Sequence, residues 1–453
     1  MRGLYSSWRR AVSLSIAGAI ASLGAVTGCA SGGLALATRA VEHGDLAALR
    51  TEIAARETRG SLSNDDAATL ARAVAARDVL GSDPRAPKEE ARARVREIRS
   101  CASDLDDLLA ERMKTHDAAG AEAALTRIDD GRLGAGDARR FVSDTDDRWR
   151  AVGARALTRE EDLAARQKAL VDPAPEVRRS AARAAAEAKA GGDFDLLAEA
   201  TRVDPDPVTR TLAARALVQM GGGRVVAKLR DLWVNADEPL REDIARAWST
   251  PGLFGEGGRE ELRTLLAQGH GSPSIDGAGA FLGASTRGGQ PLDRELDASA
   301  RSLLSRTIDV GSERDRLHAI AIAPLHGVSL TSMRAASRDA DVQVAVSALA
   351  RLTESAPDRA ASITALEALA GQSDRVAVAS RARLALAAAG DLRVQAWLEA
   401  DLTAPEASAR LSAADALAAL GRSARAAPLL ADPDASVRVR AACTLITGAR
   451  RRH

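Results

Sequence analysis

Asp172-Pro173-Ala174-Pro175-Glu176-Val177-Arg178-Arg179-Ser180-Ala181-Ala182-Arg183-Ala184 is answered 32 residues later by Asp204-Pro205-Asp206-Pro207-Val208-Thr209-Arg210-Thr211-Leu212-Ala213-Ala214-Arg215-Ala216. The phrase has a physical grammar. Asp is a good helix N-cap, because its carboxylate accepts from the first free backbone amides. Proline directly after it suits the first helical position, where a missing donor costs nothing. Val177, Ala181, Ala184 and Ala188 then share one helical face, as do Leu212, Ala216 and Met220 in the second copy. The run Gly221 to Gly223 ends that second helix. A shorter helix, Asp162 to Val171, precedes the first phrase, so each unit predicts a helical hairpin. One hairpin cannot bury its apolar stripe alone, and neighbours must stack.

Working outward, the phrase returns as Asp432-Pro433, Val437-Arg438 and Ala441-Ala442. Weaker copies read Asp147 to Arg150 with Ala154-Arg155-Ala156-Leu157, and Glu238-Pro239-Leu240-Arg241 with Ala245-Arg246-Ala247. Others lie at Asp341-Val342, at Asp374-Arg375-Val376 and at Arg410 with Ala413 to Leu417. A spacing near 30 residues is the mark of a solenoid. The whole chain agrees. Alanine supplies roughly 100 of its residues and aromatics only 2%, against the β-branched and aromatic diet of sheets. The expected fold class is therefore all-α, an α-solenoid of stacked hairpins. With 63 basic and 62 acidic residues there is no excess for a dedicated nucleic-acid binder.

These phrases resemble the HEAT repeat, in the short form named after phycobilisome lyases: an Asp-Pro, a Val-Arg a few residues on, and an alanine-rich second helix. The resemblance covers about 140–250 and 330–448. It implies a stack of antiparallel helix pairs with a long surface for binding proteins. The recurring arginines Arg178, Arg210, Arg241 and Arg438 would lie beside their equivalents and beside the Asp caps, where such pairs fix stacking.

Two regions depart from the pattern. Residues 29–139 read as a divergent helical section, a candidate cap of the array, with helices over Ala40 to Arg56, Asp65 to Leu80, Glu89 to Arg112 and Ala118 to Ile128. Within it, His43 to Leu49 resembles the turn of an ankyrin or tetratricopeptide hairpin. Residues 251–300 are dense in glycine, with Pro251, Pro273 and Pro291 among them. They read either as a hinge or as a degenerate repeat whose one helix runs from Ile275 to Ala284. Repeats fill 140–250 and 301–448, and 449–453 is a basic tail.

Residues 1–28 carry Arg2, Arg9 and Arg10, no acid, and an apolar run from Ala11 to Val26 that is too short to span a bilayer. Val26-Thr27-Gly28-Cys29 resembles the bacterial lipobox. That resemblance implies a lipoprotein signal peptide cut after Gly28, with diacylglycerol on the Cys29 thiol and a further acyl chain, commonly palmitate, on its new amine. Several chains on one residue suffice for stable anchoring. Ala30 resembles the residue of outer-membrane sorting. The mature chain would hold 60 basic and 62 acidic residues. Cys101 and Cys443 remain. They stand 342 positions apart, and an elongated fold predicts two separate buried thiols.

The search for chemistry returns little. Histidines 43, 116, 270, 318, 326 and 453 form no i, i+4 pair and none is followed by Glu, so no zinc-protease signature is present. The HEAT-repeat deoxyhypusine hydroxylases, similar in fold, bind iron through His-Glu dipeptides that this chain lacks. No Gly-x-Ser-x-Gly elbow or Walker lysine occurs. Ser274 and Ser285 near His270 are ordinary loop neighbours. No metal, cofactor, nucleic acid or catalytic residue is expected, and the chain is not read as an enzyme. Trp233 and Trp248 are the candidate partner contacts. The expected function is a lipid-anchored envelope scaffold or adaptor that binds another, unidentified envelope protein. The alternatives are a lyase-type enzyme acting on a chromophore-bearing protein, or a structural envelope spacer.

Overall fold

The computed structural model describes residues 34–81, 88–286, 293–372 and 376–450. Gly28, Cys29 and the rest of the predicted signal lie outside the described residues, as does 451–453 of the basic tail. Among the described residues there is no strand, and no helix is long and apolar enough to cross a membrane. The fold is an all-α solenoid of stacked helical hairpins, divided into two compact units. One is Leu133–Ala389; the other joins the chain's two ends, residues up to Arg132 and Gly390–His453.

In the Leu133–Ala389 unit the hairpins form two layers. The first layer runs through Leu163–Leu170, Phe194–Val203, Gly223–Trp233, Arg259–Gln268, Arg294–Val310, Gly327–Ala336 and Arg359–Ala370. The second runs through Asp147–Arg155, Pro175–Ala188, Pro207–Met220, Glu238–Trp248, Ser272–Thr286, Glu313–Ile322, Val342–Leu352 and Val376–Ala388. Consecutive second-layer helices pack side by side. Alanine makes this possible: Ala181, Ala182, Ala184, Ala185, Ala213 and Ala216 are all fully buried. Leu197, Leu217, Leu229 and Phe281 supply bulk where the layers meet. The core is thus thin and continuous from Ala151 to Leu352.

The repeat phrase works differently from its expected grammar. Asp172 and Asp204 are not the N-caps. Helix Pro175–Ala188 starts after Ala174, and helix Pro207–Met220 after Asp206, whose side chain accepts from Thr209 N. The second proline of each phrase takes the first helical position. A residue before proline is pushed toward extended backbone, so Asp172 before Pro173 and Asp204 before Pro205 sit in the turn. There each carboxylate closes an Asx turn, accepting from Ala174 N and Asp206 N respectively, both at 2.9 Å. Asp339 and Asp432 repeat the device.

The glycine-dense stretch is helical through Thr286, as Pro251–Leu253, a π turn Phe254–Gly258, Arg259–Gln268 and Ser272–Thr286. Gly279 explains one glycine: a Cβ there would stand 2.5 Å from Cδ1 of Ile322, so its absence lets the Glu313–Ile322 helix seat closely.

In the other unit, Gly44 at φ 71° breaks the expected Ala40 to Arg56 helix into Ala35–His43 and Leu46–Thr58. Glu89 to Arg112 is likewise divided into Lys88–Glu97, a 3-10 turn Arg99–Asp104 and Asp106–Met113. The chain's last helix, Ala435–Arg450, packs along Asn64–Leu80 and touches the Arg99–Asp104 turn. That packing overturns the expectation of two separate thiols, since Cys101 and Cys443 form a disulfide with Cα atoms 5.4 Å apart. Sequence distance misled because the amino-terminal section stacks on the carboxy-terminal repeat as if it were the next one. Arg50 donates to Ala431 O at 2.9 Å, and Asn64 Oδ1 accepts from Ala424 N at 2.9 Å.

Candidate interaction surface

The recurring arginines build the frame. Arg178 donates through Nη1 to the carbonyls of Asp172 and Pro173 in its own turn, and through Nε and Nη2 to both oxygens of Asp204, at 2.7 and 2.8 Å. Arg150 treats Asp172 in the same way, and Arg410 treats Asp432. Arg210 holds its own turn at Asp204 O and reaches Asp237 at 3.2 Å. Arg241 keeps the first half of the pattern, donating to the carbonyls of Trp233 and Val234. Arg150, Arg178, Arg210 and Arg410 therefore each tie one inter-helix turn to the next. The hydrogen bond to Asp204, joined by nearby carboxylates, raises the Arg178 pKa against the opposing effect of burial. Arg179 and Thr209 hold the Asp206 carboxyl well below the usual carboxylate range, although burial opposes this.

Between two of these turns lies a groove of about 510 Å³. Val203, Asp204, Pro205 and Arg210 form one wall; Lys228, Asp231, Asn235 and Asp237 form the other. The turns also carry apolar side chains with no share in the core. Val171 is 63% exposed, Val203 51% and Val234 68%. Val203 ends its first-layer helix and Val171 and Val234 directly follow theirs; the three precede Asp204, Asp172 and Asn235, so they occupy one repeat position. Single exposed valines are ordinary, but the same position exposed three times is a repeated apolar feature of the turns, and Val203 lines the groove. Sequence reasoning missed these residues. The available signal was a β-branched residue directly before the turn Asp or Asn, at a helix end where packing asks for none.

The two tryptophans meet but differ in exposure. Their rings meet at a tilt of 35°, with centroids 5.0 Å apart. Trp248 is only 3% exposed and belongs to the core, while Trp233 is partly buried with the Arg241 guanidinium 5.8 Å from its ring. Trp233 alone of the pair reaches the edge of the stack.

A second polar cluster bridges three second-layer helices. Arg246 Nη1 lies 2.8 Å from Asp276 Oδ1, and His318 Nε2 lies 3.5 Å from the same oxygen. The bond to Asp276 raises the pKa of His318 against partial burial. Burial, then the Asp276 charge, raises that of Glu242 beside them. This arrangement clips Glu238–Trp248, Ser272–Thr286 and Glu313–Ile322 together. Ser274 Oγ donates to the His270 carbonyl at 3.0 Å, so its hydroxyl is engaged with backbone instead of the imidazole. Among the described residues no three His, Cys, Asp or Glu side chains gather to hold a metal ion.

Against known proteins, residues 163–249 match the family described as HEAT repeats. No curated protein matches the chain. Among solved structures, human deoxyhypusine hydroxylase in complex with glycerol is 18% identical, covering 58% of this chain and 96% of its own, with a TM-score of 0.26. The karyopherin Kap121p bound to the extreme C-terminus of the protein phosphatase Cdc14p is 12% identical over 80% of this chain and 47% of its own, at 0.28. An engineered protein is 19% identical over 84% and 98%, at 0.24. The matched segment spans the Arg178, Arg210 and Arg241 turns, so residues 163–249 are similar to HEAT repeats within a chain that folds as an α-solenoid.

Proposed function

We propose that this chain is a lipid-anchored adaptor of the cell envelope that binds another protein along the turn edge of its repeats, without catalysis of its own. The groove lined by Val203, with Val171 and Val234 exposed at the equivalent positions of the neighbouring turns, carries the reading. This edge offers apolar side chains next to fixed polar groups, the mixture found at protein interfaces. The disulfide favours an envelope address, because such bonds persist in oxidising compartments and are rare in the cytosol. The lipobox-like Val26 to Cys29 supplies the anchor in the same reading.

The test places a photo-crosslinking residue at Val203 in cells, with Val171→Glu and Val234→Glu as a surface-disrupted control. A discrete envelope protein captured by the first and lost in the control supports the adaptor. Equal capture in both, or none, sinks it. Fractionation of wild type and Cys29→Ala tests the address separately: acylated, membrane-bound wild type and unprocessed variant are expected.

A further inference from the structure

Helix Lys88–Glu97 places Arg92 and Arg96 one turn apart on a single face, and Arg99 follows in the 3-10 turn. All three converge on one carboxylate. Glu122, on helix Ala118–Asp129, accepts from Arg92 Nε at 2.9 Å and from Arg99 Nη2 at 2.6 Å, with Arg96 Nε at 3.3 Å. Burial pushes the Glu122 carboxyl up, yet the Arg92 hydrogen bond and the charges of Arg99, Arg96 and Arg92 outweigh it and leave it below its ordinary value.

The stoichiometry is uneven. Glu89 adds a second carboxylate 3.8 Å from Arg92, but the ion pairs of Arg96 and Arg99 both run to the shared Glu122. Glu122 is 3% exposed and faces inward, whereas the side chains of Arg96 and Arg99 are 47% and 42% exposed. A guanidinium carries five N–H donors, so each retains donors on its outer side after meeting the carboxylate. The buried Glu122 thus holds two half-exposed forks in place while leaving positive charge outward. Planar forks fixed in this manner match the oxygens of phosphate.

We propose that Arg96 and Arg99, held by Glu122 and flanked by Arg92, form a binding site for a phosphate-type oxyanion, supplied either free or as a lipid headgroup.

The full chain is titrated with inorganic phosphate at low ionic strength by calorimetry. It is also mixed with vesicles of phosphatidylglycerol or of phosphatidylcholine. The same is done with Arg96→Gln/Arg99→Gln, whose fold is checked by helical circular dichroism. Phosphate binding weakened at least tenfold in the variant supports the site with a free anion as ligand. Failure with phosphate, but preference for phosphatidylglycerol lost in the variant, supports it with a headgroup as ligand. No binding to either probe, or binding the variant retains, overturns the proposal. Should the variant not fold, phosphate or phosphatidylglycerol must protect Arg96 and Arg99 of wild type from phenylglyoxal; unprotected arginines overturn it equally.

Discussion

Arg178 reaches Asp204 across 26 residues of chain, and Arg438 reaches Asp78 across 360. The two contacts are otherwise alike. Each guanidinium donates to the carbonyls of its own Asp-Pro turn and then, through Nε, to a buried aspartate of the next layer, at 2.7 Å in both cases. In the Leu133–Ala389 unit the next layer is the next repeat. In the other unit it is helix Asn64–Leu80, from the opposite end of the chain. Stacking chemistry is thus indifferent to sequence order, but the entropy of bringing the layers together is not. The regular unit closes short loops, while the other must close a very long one.

The largest effect expected to separate the two units is loss of the disulfide. Cys101→Ala/Cys443→Ala removes a cross-link over 342 residues, worth up to ~5 kcal/mol in the chain-entropy account. Hydrogen exchange will show the loss in Asn64–Leu80 and Ala435–Arg450 while Pro175–Ala188 keeps its protection. Uniform loss in all three helices breaks the distinction.

Next come the paired deletions Arg178→Ala and Arg438→Ala. Each strands a buried aspartate, and on the order of 3 kcal/mol of destabilisation is expected for both. Urea unfolding read by exchange in each unit measures it, and the comparison sharpens if Arg438→Ala costs more once the disulfide is reduced. A deletion that costs nothing in one unit would show that the shared geometry is not a shared function.

A smaller effect, dependent on pH near neutrality, comes from the regular unit. The folded pKa of His318 is raised by Asp276, so its stabilisation is fully present below the unfolded value of about 6.5 and is lost as pH rises through the folded value. Wild type will therefore lose urea resistance in that unit between mildly acidic and alkaline pH, and His318→Gln will flatten this dependence. The smallest effect is Arg202→Ala. It removes a pair with Glu199 whose partners are both more than half exposed, and solvent screening leaves the thermal melt of the variant indistinguishable from wild type.

The hairpin layers were readable because the Asp-Pro phrase and the alanine periodicity are local. The turn position of Asp172 and Asp204 was obscured because two prolines compete for the first helical position, and only the restriction each places on its predecessor decides between them. The disulfide and the Arg438–Asp78 pair were illegible for a different reason: nothing in a one-dimensional repeat says which end the divergent section covers. At the candidate surface, Trp233 and Trp248 were visible as a pair but not as edge and core. The exposed valines went unnoticed because each alone is unremarkable.

The division of the chain-end unit has a consequence in time. Its amino-terminal half, up to Arg132, leaves the ribosome before the whole of Leu133–Ala389 is made, and its partner begins only at Gly390. At 5–20 residues per second the gap is roughly 10 to 50 s. For that interval Leu70, Ala71 and Val74, buried in the finished protein, lack the Ala435–Arg450 helix that packs along theirs. The regular unit adds each hairpin to a waiting neighbour as it emerges. The chain-end unit depends instead on whatever shields its first half until the last helix arrives.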